Sequence, residues 1–186
     1  MLVEVTVERL GLDGTTKSPV VILKEDEGDR ALPIWIGPGE ASAIHMQMSN
    51  ISVGRPLTHD LLVSTILELG GTLARVVITR VQQNTYYAEL HLTVGDRSVT
   101  VDARPSDSIA VALRTGSPIF ADEDLLDRVR MEMLDGEDTP AEPFDLTGSG
   151  TEAALEGEEE LRGMTPSELQ KYLKKLNPED FGRFKP

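Results

Sequence analysis

The chain has no cysteine in its 186 residues, so it can form neither disulfides nor thiolate metal sites. It has three histidines, and their spacing matches no zinc motif. No apolar run approaches the roughly 20 residues that span a bilayer, and the first residues show no basic-then-apolar leader. We therefore expect a soluble cytoplasmic protein with no membrane partner.

Positive charge is also scarce. The formal net charge is −14, from 18 Lys and Arg against 32 Asp and Glu. Residues 135–186 carry −7 of this, which makes the C-terminal part the more acidic one per residue. Such a balance argues against a general polyanion-binding surface. A nucleic-acid partner would have to bind a local basic patch, and salt would weaken that binding strongly.

Two segments of the chain resemble each other without a gap. Residues 28–44 and 95–111 both contain Gly-Asp-Arg, a Pro before a predicted helix, and an acidic residue two positions after that Pro, Glu40 in one and Asp107 in the other. Apolar residues match between them as well. A match of this length indicates an internal duplication.

Periodicity predicts the same five elements in each copy. The first copy has strands near 2–10, 19–23 and 31–36, a helix from Pro38, and a second helix capped by Thr58 with a core face of Leu62, Ile66 and Leu69. The second copy has strands near 73–81, 86–94 and 97–103 and helices near 105–115 and 122–134. The predicted fold class is α+β: an internally duplicated β-β-β-α-α unit with a largely antiparallel sheet and helices packed on it.

The composition changes after this unit. We predict a domain over residues 1–135, with repeat one at 1–70 and repeat two at 71–135, and an acidic flexible linker over 136–163. Residues 164–186 are predicted to form a short amphipathic helix and tail, opened by the capping box Thr165-Pro166-Ser167-Glu168. A helix this short is marginal alone, so we expect it to dock on a protein partner.

Chemistry is predicted at the end of the third strand of the second copy. Asp102 and Arg104 lie there on one face, where the first copy has Trp35 and Gly37. Divergence between duplicated copies is what specialisation of one site would produce. The simpler interpretation is an exposed ion pair, worth about 0–1 kcal/mol.

Carboxylates on both sides of the bend at Pro105 suggest a cation site. Asp102 and Asp107, supported by Glu40, would hold Mg²⁺ or Mn²⁺ and activate water for phosphodiester cleavage. The structural alternative is that Asp107 and Glu40 only stabilise the first turns of their helices.

Other polar residues would serve the same reaction. Arg104, Ser106 and Arg55 are predicted to contact phosphate, since a helix N-terminus also attracts anions. His59 would act as a general base, or would be a structural residue in the first turn of its helix.

Three motifs resemble the bifunctional nuclease domain family. They are Leu-Pro-Ile-Trp-Ile-Gly at 32–37, Arg-Pro-Leu-Thr-His-Asp-Leu-Leu at 55–62, and Asp-Ala-Arg-Pro-Ser-Asp-Ser-Ile-Ala at 102–110, in this order over residues 1–135. The resemblance implies an α+β domain and, as for some members, activity against both DNA and RNA. It assigns no catalytic residue.

Two functions therefore compete. The first is a nuclease that uses Asp102, Asp107 and His59. The second is a non-catalytic binding or regulatory module with a protein-docking tail, in which the same residues hold the bend together. A homodimer is a further expectation, because a sheet edge without cover needs protection.

Overall fold

The computed structural model describes residues 1–83, 85–134 and 142–143. Its strands and helices follow in chain order: β1 Leu2–Leu12, β2 Pro19–Glu25, β3 Ala31–Trp35, α1 Pro38–Met48, α2 Thr58–Glu68, β4 Gly71–Gln82, β5 Thr85–Val94, β6 Arg97–Ala103, α3 Pro105–Thr115, β7 Ile119–Asp122, α4 Glu123–Leu134 and β8 Glu142–Pro143. The chain divides into two compact units, Met1–Phe144 and Asp145–Pro186. All described residues belong to the first.

The strands form one sheet in the order β3-β2-β1-β7-β4-β5-β6, and the two-residue β8 pairs with β1. Every pairing is antiparallel except that of β7 with β4. The predicted α+β class, with a mostly antiparallel sheet and packed helices, is therefore confirmed.

Alternation of apolar residues explains which side of the sheet carries the helices. Val3, Val5 and Val7 point to one face of β1, as predicted, and Val5 is buried in the core. The same core takes in Ala88 and Leu90 of β5. Apolar residues of α1, α3 and α4 complete this layer: Ala41, Ile44, Ile109, Ala110, Val111, Ala112, Leu125, Leu126 and Val129.

The first helix of each half begins as predicted. Proline stands at the first position of α1 and of α3, where its missing N–H costs nothing. Gly116 ends α3 with φ of +67°, a left-handed conformation that glycine adopts easily. The two helices pack against each other, so the two strand-to-helix corners come together.

The predicted second unit of three strands and two helices is wrong in one respect, because it omits β7. This strand of four residues lies between α3 and α4 and occupies the middle of the sheet, next to β1 and β4. Ile119 and Ala121 are buried, whereas Phe120 and Asp122 are half-buried. In the sequence, however, three apolar residues precede the one polar residue, so these four positions show little apolar–polar alternation and give little strand signal.

The predicted core face of α2 is also wrong. No residue of this helix is fully buried, and both Leu62 and Leu69 are exposed. Val63 packs against the core instead. Thr58 is the first helical residue rather than the cap, and the Leu57 N–H donates to Asp60 Oδ2 at 2.8 Å.

Most of the C-terminal predictions lie outside the described residues. These are the flexible linker over 136–163, apart from β8, and the amphipathic helix and tail over 164–186. The first compact unit includes β8. In the part of the chain that the structure describes, no helix is both long and apolar enough to cross a bilayer.

Candidate active site

The corner between β6 and α3 places one charged pair by local geometry alone. Arg104 is the N-cap of α3, and Asp107 lies in the first turn. The guanidinium folds over that turn, with Arg104 Nε donating to Asp107 Oδ2 at 2.8 Å and Nη2 to Oδ1 at 3.2 Å. Ser108 Oγ donates to the Arg104 carbonyl at 2.9 Å, which fixes the corner further.

Residues distant in sequence extend this pair. His59 Nε2, from the first turn of α2, lies 3.1 Å from Asp107 Oδ1. Arg104 Nη2 lies 2.8 Å from Glu40 Oε1, in the first turn of α1. The first turns of three helices thus contribute to one chain of contacts, Glu40–Arg104–Asp107–His59, which we call the corner cluster.

Burial differs along the corner cluster. The His59 side chain is 13% exposed and the Arg104 side chain is 65% exposed, and the exposures of the two carboxylates have intermediate values. Burial raises the pKa of Asp107, but hydrogen bonds from Arg104 and His59 outweigh it and lower that pKa overall. The hydrogen bond to Asp107 in turn raises the pKa of Arg104. Asp107 is therefore a carboxylate at neutral pH.

A second ion pair holds α2 against α3. Arg114 Nε donates to Asp60 Oδ1, and Arg114 Nη1 donates to the carbonyls of Ala43 and Ala110. The hydrogen bond from Arg114 lowers the pKa of Asp60, and the Leu57 N–H adds to this. The Arg114 side chain is only 7% exposed, so it is a structural cation that joins three helices.

The bend at Pro105 does not bring Asp102 to Asp107. Val101 stands opposite Leu90 of the core, so Asp102 projects from the other face of the sheet, opposite Glu89. The predicted Asp102–Arg104 pair is absent as well, because alternation ends with β6 at Ala103 and Arg104 turns towards the helices. Asp102 makes no side-chain hydrogen bond or ion pair with any described residue.

No cation site forms from the predicted donors. Within the described residues, no group of three or more His, Asp or Glu side chains is placed to hold a metal ion. Glu40 and Asp107 do approach a common point, but the Arg104 guanidinium occupies it. The donor set of Asp102, Asp107 and Glu40 therefore does not fit a divalent cation as arranged.

The remaining predicted phosphate contacts lie apart from each other. Ser106 is buried, with 6% of its surface exposed, beside the corner cluster. Arg55 is exposed and lines a concave pocket of about 440 Å³ between α1 and α2, with Leu57, Asp60 and Arg114 also in the lining. Because Asp60 follows His59, this pocket and the corner cluster share the first turn of α2.

The chain belongs to the bifunctional nuclease domain family, because the sequence model of that family matches residues 21–133. It is 38% identical over 178 residues to a Mycobacterium tuberculosis protein whose name gives no function, in an alignment that covers 96% of this chain and 97% of that one. It is 31% identical over 121 residues to Bifunctional nuclease 2 of Arabidopsis thaliana, covering 63% of this chain and 37% of the plant protein. Bifunctional nuclease 1 of the same plant is 30% identical over 105 residues, 54% of this chain and 32% of that protein. The family predicted from the three motifs is confirmed.

The corner cluster places an imidazole–carboxylate pair next to an exposed guanidinium. A carboxylate that accepts a hydrogen bond from one imidazole nitrogen leaves the other nitrogen able to take a proton. An exposed guanidinium at a helix N-terminus is suited to a phosphate group. Both features meet at Asp107.

Proposed function

We propose that the chain is a nuclease that hydrolyses phosphodiester bonds in DNA or RNA, with the corner cluster as its active site. The observation that carries this is the His59 Nε2 to Asp107 Oδ1 contact of 3.1 Å beside the exposed Arg104. Membership of the bifunctional nuclease domain family supports the substrate class.

In this proposal His59 is the general base. When Nε2–H donates to Asp107, Nδ1 carries a lone pair and takes a proton from a water molecule. The water oxygen attacks phosphorus, and the bond from phosphorus to the leaving oxygen breaks. That oxygen then takes the proton back from the imidazolium. Asp107 orients the ring and stabilises its charged form, the role that a carboxylate plays beside a catalytic histidine.

Arg104 would bind the non-bridging phosphate oxygens. Its guanidinium has five N–H donors, and its contacts with Asp107 and Glu40 leave it 65% exposed. The free N–H groups in the first turn of α3 add a partial positive charge at the same corner. Ser106, in this turn, would be a secondary phosphate contact, and Arg55 would bind the nucleic-acid backbone farther along.

The Mg²⁺ or Mn²⁺ predicted from the sequence stays a prediction. Because Arg104 lies between Glu40 and Asp107, and Asp102 is on the other face of the sheet, no step of this mechanism uses a cation. A mechanism with a bound cation requires the Arg104 guanidinium to move away from Glu40 and Asp107, and it requires Asp102 for activity. The activity of an Asp102 variant therefore distinguishes the two mechanisms.

The alternative function is a non-catalytic binding or regulatory module. It is favoured by the low exposure of His59 and by the acidic charge of the whole chain. In that case the corner cluster serves only to hold three helices together. A protein partner for residues 164–186 belongs to this alternative, and it stays a prediction together with the cytoplasmic location.

We also propose that the domain arose by internal duplication. Support comes from α1 and α3, which have 11 residues each, begin with a proline at corresponding positions of the two similar segments, and pack together. Strands β1–β2–β3 and β4–β5–β6 form two meanders on either side of β7. Only the second half has a strand between its two helices, namely β7, so the copies are not equivalent.

The test is a cleavage assay on plasmid DNA and single-stranded RNA with purified protein, in Mg²⁺, Mn²⁺ or chelator. We expect cleavage by the unmodified chain and its loss in His59→Gln and Asp107→Asn. Asp102→Asn is measured in parallel: a loss as large as that of Asp107→Asn would replace the His59 mechanism by the cation mechanism. Absence of cleavage in every condition would favour the binding module.

A further inference from the structure

The two edges of the sheet are protected unequally. At one edge, β3 has five residues, contains Pro33, which has no N–H, and is packed against α4. At the other edge, β6 has seven residues with neither proline nor bulge. Among the described residues nothing pairs with its outer side. An open edge of this kind is a template for another strand.

Apolar surface accompanies the open edge. Val99 and Val101 point to the core face of the sheet yet remain 36% and 40% exposed. The helices α2 and α4, the second helix of each repeat, differ in how far their leucines are exposed. A Leu-Leu pair in the first turns of α4, Leu125 and Leu126, is buried, whereas the corresponding pair in α2, Leu61 and Leu62, is exposed. The end of the sheet formed by β4, β5 and β6, on which α2 packs, therefore lacks the cover that α4 gives to β3 at the opposite end.

We propose that a second copy of this chain covers this edge, with the two β6 strands antiparallel across a two-fold axis at Thr100. Seven-residue strands alone bury less than the roughly 1,200 Å² typical of a stable interface. The exposed leucines of α2, a helix that packs on α3 and β4, add apolar surface on the helix-bearing side of the sheet. A two-fold interface uses the same surface patch on both copies. An open strand edge can form such an interface, because its free N–H and C=O groups pair with the same groups of a second copy.

Charge and side-chain direction select the register. Residues directly opposite in an antiparallel pair point to the same face, so the axis must pass through a residue rather than between two. With the axis at Thr100, Val99 of each copy stands opposite Val101 of the other, and Ser98 opposite Asp102. All seven residues of β6 are then paired, and no like charges meet.

Other registers are worse. An axis at Val99 would place Asp96 opposite Asp102, two carboxylates that repel. An axis at Val101 would place Arg97 opposite Pro105, which has no N–H to donate. Each of these registers also loses both Val99–Val101 pairs.

The register at Thr100 brings a cation to the active site of the other copy. Arg97 lies on the core face with the valines and would stand opposite Ala103 of the second copy. Ala103 directly precedes Arg104, and Asp107 follows in the next helical turn. The corner cluster has two carboxylates and one guanidinium, so an added arginine complements its charge. We assign this Arg97 a phosphate-binding role in trans, which rests on the proposed nuclease function, whereas the dimer itself does not.

Sedimentation of the full chain tests the dimer. We expect twice the mass of one chain at micromolar concentration, and the monomer mass for Val99→Lys/Val101→Lys with an unchanged circular dichroism spectrum. Val53→Lys is the matched control, because Val53 is 41% exposed but lies in the loop between α1 and α2; it should stay dimeric. A monomeric unmodified chain, or a dimer that survives the double substitution, would overturn the proposal.

Cross-linking tests the register, and because the chain has no native cysteine, only the introduced thiols can form disulfides. Thr100→Cys should form a disulfide-linked dimer under mild oxidation, since opposite Cα atoms lie about 4.5–5.5 Å apart. Val99→Cys alone should not, because its own copy is a diagonal neighbour about 7–8 Å away. A mixture of Val99→Cys and Val101→Cys should cross-link. Equal cross-linking of Thr100→Cys and Val99→Cys alone would contradict the register.

Mixed dimers test the role of Arg97. Arg97→Ala and Asp107→Asn should each be nearly inactive alone. A mixture should recover about a quarter of the unmodified activity, because half of the dimers are mixed and each has one complete site. No recovery, in a protein whose unmodified form cleaves and cross-links at Thr100, would remove Arg97 from the site and leave the dimer standing. If the unmodified chain does not cleave, the proposed function fails while the cross-linking result still decides the dimer.

Discussion

His59 Nε2 lies 3.1 Å from Asp107 Oδ1, and this contact joins the first turn of α2 to the first turn of α3 across 48 positions of sequence. Arg104 holds the other oxygen of the same carboxylate at 2.8 Å. Asp107 therefore orients the His59 imidazole and the Arg104 guanidinium at once. A helix-capping role alone would explain neither partner.

Replacing Asp107 by asparagine should reduce kcat by about 10²–10⁴-fold, the usual contribution of an oriented acid–base group. Asparagine keeps the size of the side chain but loses the charge that stabilises the imidazolium. The measurement is single-turnover cleavage of a labelled oligonucleotide. Asp29→Asn, an exposed aspartate in the turn between β2 and β3, is the matched control and should keep full activity. Full activity of a folded Asp107→Asn protein would remove Asp107 from the mechanism.

Local rules predicted the pieces of the site better than its assembly. The proline at the start of α3 and the acid in its first turn follow from helix-end chemistry, and the structure has both. Alternation correctly predicted which residues of β6 share a face. It gave the wrong partner for Arg104, because alternation applies only while the strand lasts and β6 ends at Ala103.

Contacts between residues far apart in the chain could not be predicted from a single sequence. Arg114 lies at the end of α3, and its partner Asp60 is 54 positions earlier. The only local hint was the adjacency of His59 and Asp60 in one helical turn, which lets α2 present two polar groups to α3. Likewise β7, four residues long, becomes a strand because β1 and β4 both pair with it. Tertiary context, not propensity, determines such a strand.

Arg55→Ala should weaken nucleic-acid binding without affecting the fold, because Arg55 is an exposed side chain at the rim of its pocket. One lost phosphate contact lowers the slope of log K against log salt by about 1. Fluorescence anisotropy of a labelled oligonucleotide at several salt concentrations measures this slope. Arg128→Ala, an exposed arginine on α4, is the control with no expected change. An unchanged slope for Arg55→Ala would place the nucleic acid elsewhere.

Asp60→Asn should lower the free energy of unfolding at pH 7 by about 1 kcal/mol, a value reduced because the side chain is partly exposed. The pKa of Asp60 is below its ordinary 3.8 in the folded state, so its stabilisation exists above that pH and is lost as pH falls through the folded pKa. The difference between the two proteins should therefore shrink below about pH 4. Urea titrations at pH 7 and pH 3 test this, and a constant difference would contradict the assignment.

Gly28→Ala and Gly39→Ala should change stability in opposite directions, although neither glycine has a positive φ. A Cβ on Gly28 would meet the carboxyl group of Glu25, whose oxygens accept hydrogen bonds from Arg30 Nη2 and Nε at 2.7 and 2.8 Å. Moving that carboxyl group should cost about 1–2 kcal/mol, since hydrogen bonds between charged groups would be lost.

A Cβ on Gly39, in the first turn of α1, meets no atom within 4 Å. The alanine there should stabilise the protein by about 0.4–1 kcal/mol, because it restricts the unfolded chain. Urea unfolding midpoints of the two variants provide the comparison. Equal midpoints for both would show that Glu25 moves aside without loss, and that its ion pair with Arg30 does not stabilise the turn between β2 and β3.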